Sequence, residues 1–400
     1  MKKALKISAI VIGLLLLVII ALPFLFKGKI QKTVQSEINK NLNAVVTFDG
    51  VGLSLIRHFP DLTVKVKNLV VKGTDDFSAD TLASIPGLSL TLDLASVFGG
   101  SEYKVKQIDL KAPRFLFKVL KNGKVNWDVM KPSATADTVS TPSTFKVYLN
   151  KVSISDMRMV YDDAEIPTML SLDGLTGTMS GDMTADITSL DIKAVVKDIT
   201  ADYDGIRYMS KTTGEITTLL NANLTTWTFT FKDGNLRLND LNIKADGFFA
   251  MPDNGYTMDI KFAAKENTFK AFLSLIPAIY AKDFENVKTS GTMAFDGFVK
   301  GLYNDVSIPA FAVNLKVANG SFSYLGLPGN VSDVNLQAAI ANPDGVMDHT
   351  TVDVPRMHLS MMQNPVDISL AVRTPVSDPD INATVKGTVN LANVSKIYPL

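Results

Sequence analysis

The chain has 400 residues, two to three times an ordinary domain, so it is either several domains or one extended architecture. Forty Lys and Arg balance forty Asp and Glu, which argues against nucleic acid as the main partner. No cysteine and only His58, His349 and His358 remove disulfide scaffolds, thiol nucleophiles, iron-sulfur clusters and nearly every zinc site, while 46% apolar residues and a mean hydropathy of +0.16 exclude wholesale disorder.

From Ile7 to Phe26 no residue is charged, and only Ser8, Gly13 and Pro23 interrupt the apolar run. At about 1.5 Å per residue this covers roughly 30 Å of hydrocarbon, so residues 1–28 are expected to be a transmembrane anchor. A cleaved signal peptide fits less well, because Phe24, Leu25 and Phe26 stand where a signal peptidase needs small residues. Lysines flank both ends, and a short basic N-terminus stays cytoplasmic, which places the bulk of the chain outside the cytoplasm. Ile30, Val34, Ile38 and Leu42 then recur every four residues, predicting an amphipathic juxtamembrane helix over 29–44. Its polar face mixes Lys32 and Lys40 with Glu37, favouring a stalk packed on the first sheet over a membrane-surface helix.

Beyond residue 45 the period is two. Leu62, Val64 and Val66 alternate with Thr63, Lys65 and Lys67, and Leu88, Leu90, Leu92 and Leu94 alternate with Ser89, Thr91 and Asp93. The same holds for Phe115, Phe117 and Val119, for Trp227, Phe229 and Phe231, and for Met258, Ile260 and Phe262. Each reads as a strand with one apolar face, in a β module over 45–130 and a β region over 145–400. Residues 131–144, rich in Ser, Thr, Ala and Pro, read as a flexible linker between them.

Ten of the 25 glycines follow Asp or Asn, the chemistry of tight antiparallel hairpins, and Phe229 to Leu238 around Asp233-Gly234 is the clearest. The one convincing later helix is expected over 268–280, capped by Asn267 or Thr268. Phe269, Phe272, Leu273, Ile276 and Ile279 form one face, and Pro277 kinks or ends it. It is either an end-cap on a sheet or a mobile lid over a groove. With so few helices, the apolar sheet face must be covered by a second sheet, by closure into a barrel, or by lipid. At about twelve residues per strand and turn some thirty strands fit, enough for an elongated trough or a series of modules.

No catalytic constellation emerges, and no enzyme, metal or cofactor is expected. Asp75 with Asp76, and Asp162 with Asp163, are adjacent carboxylates best read as solvated turns. His349 and His358 lack a carboxylate cluster for a metal, His58 reads as a loop residue, and Gly99-Gly100 lacks the spacing of a phosphate loop. Trp127 is read as a core anchor ahead of a lipid contact. The leucine row from 88 to 94 suits equally an acyl-chain groove and the core of a closed sandwich.

The order of these segments carries a resemblance. The anchor runs into the stalk Lys29 to Asn43 and then Leu53-Ser54-Leu55-Ile56-Arg57-His58-Phe59-Pro60-Asp61-Leu62. Ile108-Asp109-Leu110-Lys111-Ala112-Pro113-Arg114-Phe115 and Asn122-Gly123-Lys124-Val125-Asn126-Trp127 follow. This resembles the N-terminal region of the bacterial AsmA family of envelope proteins, related to TamB-like proteins. Gly291 to Gly297, Ile308-Pro309-Ala310-Phe311, Asn319-Gly320-Ser321-Phe322 and Leu327-Pro328 resemble the β repeats of AsmA-like proteins.

The resemblance implies a mainly β fold: a transmembrane helix, then an elongated, twisted antiparallel β-groove with few helices, in the periplasm of a Gram-negative cell and anchored in the inner membrane. It implies phospholipids as partners, with lipid transport between the two membranes as the function. Leu62, Val64, Val66, Leu88, Leu90, Leu92, Leu94, Phe115, Phe117 and Val119 would line the groove, and Phe269, Phe272, Leu273, Ile276 and Ile279 would form the lid or cap. Assembly of outer-membrane β-barrels through exposed strand edges is the alternative.

Overall fold

A computed structural model describes residues 42–55, 58–99, 103–129, 131, 145–183, 186–273, 288–323, 329–388 and 390. The expected anchor, most of the juxtamembrane helix and nearly all of the linker lie outside these residues. Among the described residues no helix is long and apolar enough to cross a membrane, and residues 42–44 of the expected stalk are not helical.

The described chain is mainly β, and it divides between Thr184 and Ala185 into two compact units. The first contains β1 (Val45–Thr47), β2 (Gly50–Ser54), β3 (Leu62–Lys72), β4 (Thr81–Leu92), α1 (Leu94–Gly99), β5 (Tyr103–Lys111), β6 (Arg114–Val119), β7 (Phe145–Asp163) and β8 (Thr168–Ser180). β1 and β2 both pair with β3, β3 with β4, and β4 with both β5 and β6. β5 and β6 run in line, separated by Ala112 at φ 47° and Pro113, and both lie parallel to β7, which is antiparallel to β8. The expectation of wholly antiparallel pairing is therefore corrected: the sheet is mixed. The linker does not separate compact units, because β7 after it pairs with both β5 and β6 before it.

The second unit is an antiparallel meander: β9 (Ile187–Tyr203), β10 (Ile206–Asn223), β11 (Thr228–Leu238), β12 (Leu241–Ala250), β13 (Tyr256–Thr268), α2 (Phe269–Leu273), β14 (Lys288–Tyr303), β15 (Ala310–Ser323), β16 (Val331–Asn342), β17 (Thr351–Met361), β18 (Asn364–Arg373) and β19 (Asp380–Gly387). Each strand from β9 to β18 pairs antiparallel with the next. Nineteen strands appear among the described residues, not some thirty, because several are much longer than usual: 19 residues in β7, 18 in β10 and 17 in β9.

Length is reached by replacing turns with bulges. Phe229 to Leu238 is not a hairpin but a single strand. Only Asp233 is left-handed there, at φ 51°, and the register shifts between Phe231 and Gly234. A tight hairpin of the favoured type needs two left-handed residues, as Asp204 and Gly205 supply between β9 and β10 with φ of 48° and 76°. One such residue makes a bulge, which returns Leu236 to the face of Phe231 despite the odd spacing. Gly174, Gly247, Gly297 and Gly320 likewise lie inside strands.

Bulges line up across neighbouring strands near α2, between Ala264 and Asn267, Ser290 and Thr292, Val317 and Gly320, and Ser332 and Asn335. Beside them sits the buried cluster of Leu241, Ala264, Phe269, Ala271, Met293, Val317, Val331 and Val334. The helix starts at its predicted place, with Thr268 Oγ1 accepting the Ala271 N–H at 3.1 Å. Asn267, the other cap candidate, instead ties β13 to Asn242, accepting its N–H at 2.9 Å and donating to its carbonyl at 3.3 Å.

Candidate functional surface

In antiparallel neighbours, residues directly opposite share a face. Tracing partners strand by strand therefore shows what each face presents. In the first unit Leu53, Val64, Leu90 and Ile108 are successive partners across β2 to β5, with Val152 beside Ile108 on β7 and Met179 opposite Val152 on β8. Val51, Val66, Leu88, Leu110 and Ile154 make a second apolar row. Leu62, Leu92 and Val105 make a third. The alternate positions carry Lys65, Ser89, Asp109, Ser153 and Thr178.

Six of the ten expected lining residues thus meet on one face: Leu62, Val64, Val66, Leu88, Leu90 and Leu92. Leu94 does not, since the strand ends at Leu92 and Leu94 opens α1. Ser96 turns the chain there: its N–H donates to Asp93 Oδ1 at 3.0 Å and its hydroxyl to the Asp93 carbonyl at 2.7 Å. Phe115 lies opposite Ala83 and beside Met159, Phe117 beside Tyr161, and Val119 beside Asp163, so this trio is not registered with the leucines. Phe117 meets Trp127 edge-on at 5.8 Å, and Trp127 meets Tyr161 at 6.3 Å.

Trp127 is 39% exposed, so it is not the expected core anchor; its neighbour Asn126 is the buried residue, at 3%. Asn126 accepts the Lys118 N–H at 2.9 Å and donates to the Leu116 carbonyl at 2.7 Å, locking the segment after the turn onto β6. The Asn-Trp pair marks this segment in the sequence, and it is the polar member that holds it in place.

The second unit repeats the two-faced arrangement on a larger scale. Ala245, Phe262, Gly297, Val313, Ile340, Val352, Val372 and Ile381 are successive partners from β12 to β19. Met293, Val317, Leu336, Met357, Ile368 and Val385 make another row from β14 to β19. The opposite face presents Lys244, Ala263, Asp296, Asn314, Ala339, Asp353, Ala371 and Asn382 across the same strands.

Burial decides what this means. Met293 and Val317, in the cluster beside α2, are buried, but Phe262, Val313, Val352, Val372, Ile260 and Val299 are half-buried, and Ile381 and Val385 are exposed. The central residues of the first unit's apolar rows are half-buried too. A filled sandwich core would bury them completely. Of the expected lid, Phe269 belongs to the buried cluster, 6.4 Å from Phe322, as an end-cap would; Phe272 and Leu273 fall in α2, and Ile276 and Ile279 lie outside the described residues.

The titratable groups are engaged locally. Asp163 accepts the Tyr161 hydroxyl at 2.7 Å and the Glu165 and Ile166 N–H groups at 2.9 Å, closing the turn between β7 and β8. The bond to Asp163 pushes the Tyr161 pKa up to about 12, and the same bond holds the Asp163 carboxyl below its usual range. Asp76 pairs with Lys124 at 2.7 Å. Lys106 bridges Asp61 at 2.8 Å and Asp93 at 2.9 Å, which fastens the loop before β3. His58 bonds Thr63, His349 bonds Asp344 and His358 bonds Asp367. No group of three possible metal ligands occurs among the described residues.

Residues 1–180 match the model of the AsmA family. These residues are an AsmA-family region. The match ends on the last residue of β8, close to the division of the compact units, and the likeness of Gly291 to Pro328 to AsmA-like repeats lies outside it. No curated protein and no solved structure matches the chain.

Proposed function

We propose that this protein is a non-enzymatic, inner-membrane-anchored envelope protein that binds phospholipid acyl chains on its apolar sheet faces and supports lipid transport between inner and outer membranes. The observation that carries the reading is the set of apolar rows, several strands wide, that stay half-buried while the reverse face carries mostly polar and charged residues. Such a surface offers acyl chains many weak, unspecific contacts and no fixed headgroup site. The AsmA-family region and the uncharged run from Ile7 to Phe26 support an envelope location.

The test is to purify the full chain in mild detergent and identify co-purifying lipid by mass spectrometry, with a photo-crosslinker at Val64 or Ile260 and, as control, at Lys65 or Lys261. Lipid adducts at the apolar positions alone are the expected result. Absence of lipid, or equal labelling of both faces, refutes it.

One observation favours the alternative, assembly of outer-membrane β-barrel proteins by strand addition. Every residue of β19 is exposed. Crosslinks from Asn382 or Thr384 to barrel precursors, with slower barrel assembly on deletion, would transfer the assignment to that reading.

A further inference from the structure

The loops at one strand-end of the second unit differ from those at the other. Loops 224–227, 251–255, 304–309, 343–350 and 374–379 follow β10, β12, β14, β16 and β18, and alternate loops of an antiparallel meander fall on the same edge. Each holds a large apolar side chain in solvent: Trp227 is 54% exposed, Met251 38%, Val306 90%, Met347 52% and Val376 65%. At the other end the described loops between β9 and β10, β11 and β12, and β17 and β18 are only Asp204-Gly205, Asn239-Asp240 and Met362-Gln363. Strand spacing puts successive tips about 10 Å apart.

These tips are built rather than slack. Asn342, fully buried, donates to the Val346 carbonyl at 2.7 Å and to Thr350 Oγ1 at 2.9 Å, and accepts the Gly345 N–H at 2.6 Å. Asn304 accepts the Val306 and Ser307 N–H groups at 3.1 and 2.9 Å and reaches the Asn254 carbonyl of the neighbouring loop at 3.1 Å. Asp348 accepts the Val376 and Ser377 N–H groups at 3.0 Å, joining the fourth loop to the fifth. A row of apolar groups held in water by a fixed hydrogen-bond frame is preorganised for contact, not for folding.

Charge selects the partner. The five loops contain Asp253, Asp305, Asp344, Asp348 and Asp378 and no Lys or Arg. Asp344 is bonded within its loop to His349 at 2.7 Å, and on the adjoining strands Arg373 pairs with Asp353 at 2.6 Å and Lys300 with Asp259 at 2.8 Å. A second copy would bring the same carboxylates, and an anionic lipid surface would be repelled. We propose that this edge is a docking surface for a polypeptide segment that is both apolar and basic. It does not depend on lipid binding by the sheet faces.

The test uses the full chain in a nanodisc of zwitterionic lipid and a fluorescent 18-residue amphipathic Leu/Lys peptide, with a Leu/Glu peptide of the same pattern as control. The Leu/Lys peptide binds at least about tenfold tighter, and its affinity falls as salt rises from roughly 0.05 to 0.5 M. Combining Trp227→Ser, Val306→Ser and Met347→Ser weakens it about tenfold with the melting temperature unchanged, as does combining Asp253→Asn, Asp305→Asn and Asp378→Asn. Hydrogen exchange slows at the five loops. Equal binding of the two peptides, unchanged affinity in either variant, protection confined to the strand interiors, or preference for phosphatidylglycerol vesicles over the peptide would each overturn the assignment.

Discussion

The side chain of Asn126 is surrounded by main chain, whereas Trp127 lies half in solvent over Phe117 and Tyr161. Removing the amide strands the Lys118 N–H and the Leu116 carbonyl in a buried place, so Asn126→Ala is expected to cost about 1–3 kcal/mol in denaturant unfolding. Trp127→Ala is expected to cost less. The reverse order would show that the aromatic contact holds the turn. Near it, Asp163 and Tyr161 make a pH prediction whose two limits have opposite origins. Asp163 has a depressed pKa, so its contribution is present above the ordinary carboxylate range and is lost as pH falls through the lower folded value. Tyr161 has a raised one, so its contribution is complete below its ordinary value of 10.0 and fades as pH climbs through about 12. Melting temperature against pH should fall more steeply at both extremes in the native chain than in Asp163→Asn. Parallel curves would show the turn to be electrostatically silent.

Two glycines carry the argument for the long strands. Gly291 sits at φ 98°, in the row of bulges, and a Cβ there would lie 2.6 Å from the Asn319 carbonyl oxygen. Gly297 gives up its side-chain space to the ring of Phe262, 2.7 Å from where a Cβ would stand, and to the Ala312 carbonyl oxygen at 2.3 Å. Gly291→Ala should therefore destabilise by about 1–3 kcal/mol through backbone strain. Gly297→Val should do so both by pressing on the Ala312 carbonyl and by displacing Phe262 from its edge-on contact with Phe295, so Phe262→Ala should relieve only part of that cost in the double variant. Full additivity would mean that the main chain, not the ring, is what the valine meets. The same strands show how far the sequence could be read. Alternation identifies strand and face because side-chain direction is a local property, and Val64, Val66, Leu88 and Leu90 lie on one face. Whether Asp233-Gly234 turns the chain or bulges it depends on the φ of one further residue, and the parallel seating of β7 beside β5 and β6 depends on pairing across a segment with no periodicity. Neither is encoded in neighbouring residues.

Taken as a whole, the chain separates the residues that hold it together from those that present an apolar surface, and that separation can be tested in a single pair of variants. Met293, 1% exposed, belongs to the cluster against α2; Ile260 is half-buried on the apolar face, opposite Gly247 and Val299. Both are apolar residues in long strands, and periodicity alone assigns them the same role. Only the cap supplied by α2 and the aligned bulges distinguishes them, which is why the sequence showed an apolar face without showing which part of it was closed. Met293→Ala should cost about 2–5 kcal/mol, since the cavity it leaves is enclosed. Ile260→Ser removes a side chain that water already reaches, so its stability cost should be well under that of Met293→Ala. If the face binds acyl chains, Ile260→Ser together with Val299→Ser should lower bound lipid at least severalfold while the melting temperature stays near that of the native chain. Met293→Ala should do the opposite, lowering the melting temperature while the folded fraction keeps its lipid. Equal destabilisation by the two would mean that the half-buried rows are core after all, covered by protein, and the lipid assignment would fall with them.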